Sequence, residues 1–119
     1  MLRVLLRLEA QATVAELDDV RPAANLLEVL DLLRDRPHLL QGPLQLLDDV
    51  APDRGHDLAI TVRAYLDHHG DVGSAAASLT VHPNTFRYRL RRFQELTGAN
   101  LGDPVQRMML ALQLRAEPS

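Results

Sequence analysis

The stretch that decides the fold is DVGSAAASLTVHPNTFRYRLRRFQELTG, Asp71 to Gly98. Its pattern predicts two helices. The first begins at Asp71, because an aspartate carboxylate can accept hydrogen bonds from the free amides of a first helical turn. The second begins at His82-Pro83, because proline at the first helical position lacks only an amide that would be unpaired there. His82 is then the predicted N-cap residue, and a turn of about three residues separates the helices.

The two helices are predicted to cross, and the second has two different sides. A connection this short sets a crossing angle of roughly 90–120°, the geometry of a helix-turn-helix. Residues at helical spacing from Phe86 form one narrow stripe, and polar residues project from the opposite side. The stripe comprises Phe86, Leu90, Phe93 and Thr97, and the opposite side comprises Asn84, Arg87, Tyr88, Arg91 and Glu95. We expect the stripe to be buried and the opposite side to face a partner.

The charge of the chain is unevenly distributed. Residues 71–98 hold four arginines against two acids, a net charge of +2, whereas residues 1–57 hold six arginines against eleven acids, a net charge of −5. The total of −3 at pH 7 therefore hides a basic element on an acidic support. This distribution suits contact with a local polyanion.

The polar side of the second helix favours DNA as that partner. Its polar residues cluster in the N-terminal two turns, the part of such a helix that enters the major groove. Arginine can pair bidentately with guanine and asparagine with adenine, which gives Arg87, Arg91 and Asn84 the chemistry of base readers. Arg92, on the flank, is predicted to contact a phosphate. The predicted DNA-binding residues are His82, Asn84, Thr85, Arg87, Tyr88, Arg91 and Arg92.

Two other interpretations of this helix stay open at this point. The polar side could be a solvated charged face in which Arg91 and Glu95 pair at the i, i+4 spacing. Arg89 lies only about 60° from Phe86 around the helix. It could therefore form an internal ion pair as well as contact DNA.

The segment VHPNTFRYRLRRFQELTGANLGDP, Val81 to Pro104, resembles the C-terminal helix-turn-helix domain of the PucR/CdaR family of bacterial transcription regulators. That domain is similar to the DNA-binding part of Fis. In looser form the resemblance covers roughly residues 38–115. Pro83 stands where the family usually has arginine, which removes one phosphate contact, and Phe86 and Phe93 replace aliphatic residues.

The resemblance implies an all-α fold: a compact multi-helix domain whose three-helix core contains the helix-turn-helix, with an N-terminal helical segment. Residues 1–37 would be that segment, the end of an upstream regulatory domain, and residues 38–119 the DNA-binding domain. The implied function is sequence-specific binding of double-stranded DNA as the output domain of a transcriptional regulator. The alternative is a protein-interaction or dimerisation module that keeps the helix-turn-helix shape without reading DNA.

The remaining helices are predicted from proline, glycine and apolar spacing. One helix starts at Pro22 and stops before Pro37, since proline disfavours the helical conformation in the residue that precedes it. A short leucine-rich helix follows Gly42-Pro43 and ends in an acidic loop, residues 48–55. A further helix covers about residues 57–69, and the last starts at Asp103-Pro104.

The last helix and the N terminus carry more apolar residues than one core needs. We expect Val105, Met108, Met109 and Leu112 to face the core. The surface of a homodimer would then come either from the N-terminal segment, through Leu2, Leu5 and Leu6, or from the last helix, through Leu110 and Leu114. Such a homodimer would bind an inverted repeat, because one recognition helix reads only a few base pairs.

The sequence favours neither an enzyme nor a membrane protein. It contains no cysteine, no apolar run of the ~20 residues that span a membrane, and no secretory signal at the first residues. We therefore expect a cytoplasmic protein. His68 and His69 have metal-ligand atoms, but adjacent residues point about 100° apart on a helix. With no nucleophile elbow or phosphate-binding glycine loop, we expect no catalysis, cofactor or metal.

Overall fold

The computed structural model of the chain describes residues 19–117. Within them lie six α-helices and one 3-10 helix, and no strand, so the all-α fold is confirmed. The described residues divide into two compact units, 19–40 and Gln41–Glu117. The expectations for residues 1–18, including Leu2, Leu5 and Leu6, lie outside the described residues.

The first unit contains α1 (Val20–Arg34) and the 3-10 helix Pro37–Leu40. Helix α1 begins two residues before Pro22 and ends before Pro37, as predicted. Four leucines at helical spacing form its apolar side: Leu30 is buried, and Leu26, Leu27 and Leu33 are half-buried.

The second unit contains α2 (Pro43–Val50), α3 (Gly55–Asp67), α4 (Val72–Ser78), α5 (Pro83–Thr97) and α6 (Pro104–Ala116). Helix α2 continues through Asp48 and Asp49, so the expected acidic loop is reduced to residues 51–54. Helix α3 begins and ends two residues earlier than predicted.

The core of this unit lies where α3, α4 and α5 pack on one another, with α2 and α6 packed against them. Val62, Phe86 and Phe93 are fully buried at its centre. On α4, Ala75 and Ala76 are also buried, because small side chains let two helices cross closely. The three-helix core predicted from the sequence is confirmed.

The prediction for the inward side of α6 is wrong. Leu110 and Leu114 are only 2% and 8% exposed and belong to the core, whereas Val105 and Met108 are each 66% exposed. Helix α6 carries apolar residues on two sides, and their spacing alone does not decide which side turns inward.

Hydrogen bonds to the loop before α6 accompany the observed orientation. The side chain of Arg107 donates to the carbonyl oxygen of Leu101 at 2.9 Å, and the amide of Asn100 donates to the side chain of Gln106 at 2.8 Å. On α5, Gln94 accepts the amide of Leu101 at 2.9 Å. These contacts tie one side of α6 to the loop and the loop to α5, and they connect residues that lie several positions apart.

The end of α5 gives a prediction about stability. Gly98 has a φ of 78°, in the left-handed region, and a Cβ atom there would meet nothing within 4 Å. Gly98→Ala should therefore lower the free energy of unfolding by about 1 kcal/mol through backbone strain alone. In a domain of this size, that corresponds to about 4–8 °C in the thermal unfolding midpoint.

Gly73→Ala is the matched control for this change. Gly73 lies within α4, without a positive φ, and its Cβ would make only an ordinary contact with Asp71, at 3.5 Å. Alanine there should leave the midpoint unchanged or raise it, because glycine weakens a helix by roughly 0.5–1 kcal/mol relative to alanine. Equal midpoints for the two variants would show that the left-handed end of α5 carries no strain for alanine.

Candidate nucleic-acid interface

Asp71 fixes the start of α4, the first helix of the helix-turn-helix. Its carboxylate accepts the side-chain hydroxyl of Ser74 at 2.9 Å and the backbone amide of Ser74 at 3.3 Å. The hydroxyl contact first, and then the amide, hold the pKa of this carboxyl below its usual value. The predicted N-cap is confirmed.

The turn between α4 and α5 is held by backbone bonds and by packing. The amide of Val81 donates to the carbonyl oxygen of Ala76 at 3.0 Å, and Leu79 and Val81 pack against the core. Thr80 has a φ of 56°, a left-handed conformation that is rare for a β-branched residue. The turn therefore has a specific conformation, which sets where α5 begins.

His82 caps α5. Its Nδ1 accepts the backbone amide of Asn84 at 3.0 Å, and Pro83 occupies the first turn, as predicted. Because a ring nitrogen that accepts carries no proton, the Nε2–H of this neutral imidazole is its remaining donor. His82 thus keeps one exposed donor beside the outer face of α5.

The outer face of α5 brings the predicted base readers together. All five of its residues, Asn84, Arg87, Tyr88, Arg91 and Glu95, are exposed. The guanidinium of Arg87 donates to the amide oxygen of Asn84 at 3.2 Å, so the two side chains are held side by side. Tyr88 is 47% exposed beside them.

The ion pairs on α5 differ from both alternatives considered from the sequence. Glu95 pairs with Arg92 at 3.4 Å, and not with Arg91. Within residues 19–117, no carboxylate lies within ion-pair distance of Arg91 or Arg89. The internal ion pair considered for Arg89 is therefore absent from the described part of the chain, and that side chain is half-buried.

A groove of about 530 Å³ runs along one flank of α5. On the α5 side it is lined by Thr85, Tyr88, Arg89, Arg92 and Leu96. On the other side it is lined by the α2–α3 connection and the start of α3, which bring Arg54 to the groove. Sequence reasoning missed Arg54, because it treated this segment as a solvated acidic loop. Only the packing of α2 and α3 against α5 places the connection there.

The histidines after α3 form no metal centre with their neighbours. His68 uses Nδ1 in a 2.8 Å hydrogen bond with the carbonyl oxygen of Ala64. Across the described range, no group of three or more histidine, aspartate or glutamate side chains is placed to hold a metal ion. Nor does any described helix have the length and apolar character needed to cross a membrane.

Comparisons with known proteins identify the family of this helix-turn-helix. Residues 58–116 match the family model of the PucR C-terminal helix-turn-helix domain. An uncharacterized protein of Thermomonospora curvata is 38% identical over 97 residues, which cover 82% of this chain and 51% of that protein. The purine catabolism regulatory protein of Bacillus subtilis is 36% identical over 99 residues, 83% of this chain and 18% of that protein.

The carbohydrate diacid regulator of Escherichia coli is 37% identical over 93 residues, which cover 75% of this chain and 24% of that protein. The chain thus spans about half the length of the Thermomonospora relative and less than a quarter of the two regulators. No solved structure matches it significantly. Through residues 58–116, the chain belongs to the PucR/CdaR family of transcription regulators, of which it carries the C-terminal helix-turn-helix domain.

Proposed function

We propose that this chain binds double-stranded DNA sequence-specifically as the output domain of a transcriptional regulator, with α5 in the major groove. The observation that carries the proposal is the outer face of α5. Asn84, Arg87, Tyr88 and Arg91 are exposed in its N-terminal turns, opposite a stripe in which Phe86 and Phe93 are fully buried. The buried stripe fixes the helix and leaves its polar side free for a ligand.

The proposed readers have complementary roles. The amide of Asn84 can accept from N6 of adenine and donate to N7. Its oxygen has two lone pairs, so the contact with Arg87 need not be lost. Arg91 lies one turn further along, where its guanidinium can pair with O6 and N7 of guanine. Tyr88 would contact a phosphate or a thymine methyl group.

His82, Thr85 and Arg92 lie at the edges of this face and would contact phosphates. Pro83 has neither a backbone N–H nor a polar side chain, so it adds no phosphate contact to these. In this role the chain has no catalytic activity, and it acts in the cytoplasm, where a bacterial regulator meets DNA.

Selection from a random duplex pool tests the proposal. Enrichment of one motif would support base reading, and binding to that motif should weaken with salt by about 0.9 logarithmic units per tenfold salt for each phosphate neutralised. A pool that stays random after several rounds, with no salt-dependent binding to any duplex, would contradict the proposal. That result would favour the alternative of a protein-interaction module.

We further propose that the domain pairs with a second copy through α6 and binds an inverted repeat. The buried Leu110 and Leu114 cannot supply the contact, and Leu2, Leu5 and Leu6 lie outside the described residues. The exposed Val105 and Met108 on the outer side of α6 take their place. Two recognition helices would then reach half-sites about 34–36 Å apart.

Met108→Asp tests this pairing. We expect the variant to sediment as a monomer at a concentration where the parent protein is dimeric, and to bind a duplex with two half-sites no better than one with a single half-site. Leu46→Asp is the control, because Leu46 is also exposed, at 45%, but lies on α2. A parent protein that stays monomeric at all micromolar concentrations and binds single half-sites without cooperativity would rule out the dimer.

A further inference from the structure

The groove beside α5 lies where DNA backbone should pass. An α-helix with its side chains is about 10–12 Å across, and the major groove of B-DNA is about 12 Å wide. A helix lying in that groove therefore has a sugar-phosphate strand along each of its flanks. Thr85 and Tyr88 line both the groove and the edge of the outer face. The groove is thus continuous with the surface proposed to meet the bases.

Three arginines line this groove: Arg54, Arg89 and Arg92. Neither Arg54 nor Arg89 has a carboxylate of the described residues within ion-pair distance, and Arg92 pairs only with the exposed Glu95, at 3.4 Å. The planar fork of arginine matches the geometry of phosphate oxygens and can bond to two of them at once. The groove therefore offers donors suited to a phosphate group.

Two aspartates, Asp53 and Asp57, line the same groove. With three arginines and two aspartates, the formal charge of the lining is +1. The carboxylates would repel a phosphate, but neither is close enough to any of the three guanidinium groups to form an ion pair. Removing an arginine should therefore weaken phosphate binding in the groove, and removing an aspartate should strengthen it.

We infer that this groove holds a phosphate of the DNA strand that flanks α5, with Arg54 and Arg89 as backbone contacts in addition to Arg92. The inference rests on the proposed function and extends it, because it adds a residue from the α2–α3 connection and assigns a role to Arg89. These contacts position the domain on the duplex and do not discriminate between bases.

Measuring duplex affinity against salt tests the inference. Arg54→Ala and Arg89→Ala should each reduce the slope of log affinity against log salt by about 0.9, with no change in sequence preference. When salt rises fourfold, from about 50 to 200 mM, the ratio of parent affinity to variant affinity should therefore fall about 3.5-fold. Because Arg89 is half-buried, Arg89→Lys serves as a second variant that keeps the charge and should keep the slope.

Arg63→Ala is the matched charge control. Arg63 lies on α3 beside α6 and does not line the groove, and its partner Asp67 keeps the contact with Arg115, at 3.2 Å. Arg63→Ala removes the same charge as Arg54→Ala and should leave the slope of log affinity against log salt unchanged. In the opposite direction, Asp53→Asn should tighten binding to every duplex, because it removes a repulsion from the phosphate.

The results separate this inference from the function on which it rests. If Arg54→Ala, Arg89→Ala and Asp53→Asn leave affinity and slope unchanged while the parent protein still selects a motif, the groove is not a backbone contact and the proposed function stands. If the parent protein binds no duplex, both fail. If inorganic phosphate at constant ionic strength shifts the resonances of the groove residues while the DNA slopes of the variants match the parent, the groove binds a free anion instead. That outcome also overturns the inference.

Discussion

Replacing Phe86 with alanine is expected to lower the free energy of unfolding by about 3–5 kcal/mol and to weaken DNA binding only as far as it depletes the folded protein. The side chain is fully buried in the core between α3, α4 and α5. A domain of this size is stable by only about 5–15 kcal/mol. The change therefore removes a large share of that stability without touching the outer face of α5.

The measurement is the thermal or denaturant unfolding midpoint, read together with DNA affinity. Tyr88→Ala is the control, because Tyr88 is an aromatic residue of the same helix that is 47% exposed. It should change stability by no more than about 0.5 kcal/mol while weakening DNA binding. Phe86→Leu should fall between the parent and Phe86→Ala, because it keeps most of the buried volume. An unchanged midpoint in Phe86→Ala would show that Phe86 contributes little to the core.

The helix-turn-helix could be predicted because its signals are local. Asp71 and His82 cap helices within two or three residues of themselves, and Pro83 and Gly98 mark the ends of α5. The stripe that starts at Phe86 faces a single core, so its spacing has only one interpretation. Sequence patterns work well where one short segment contains both the signal and the structure it specifies.

The register of α6 could not be predicted in this way. Apolar residues lie on two sides of the helix, and the buried side includes Leu110, Leu114 and Gln113. Gln113 donates a hydrogen bond to the carbonyl oxygen of Gln41 at 3.4 Å, a contact between residues far apart in the chain. The prediction used only the spacing of apolar residues and took no account of this polar contact. It therefore placed the exposed side of α6 against the core.

The candidate site shows the same division. The outer face of α5 follows from helical spacing, because its members lie on one helix. The groove does not, since Arg54 reaches α5 only after α2 and α3 have packed against it. The net negative charge of the first 57 residues also argued against a phosphate contact in the α2–α3 connection, because Arg54 lies there among several aspartates. Its position relative to α5 is a tertiary property.

Replacing Arg91 with alanine is expected to cost about 1–3 kcal/mol in binding to the selected motif, a loss of about 5- to 150-fold, and to relax the preference for one base pair. The side chain is exposed on the outer face of α5. Within the described residues it forms no ion pair that would have to break before it meets guanine. The measurement is the affinity for the motif and for its single-base-pair variants, at one salt concentration.

Arg92 and a lysine substitution at Arg91 provide the comparison. Arg92→Ala should weaken all sequences alike, because a phosphate contact carries no base information. Arg91→Lys keeps the charge but cannot pair bidentately. It should therefore retain most of the affinity for non-specific duplex while losing discrimination at the same base pair as Arg91→Ala. If Arg91→Ala and Arg92→Ala instead lose affinity equally for every sequence, Arg91 contacts the backbone, and the reading of bases must rest on Asn84, Arg87 and Tyr88.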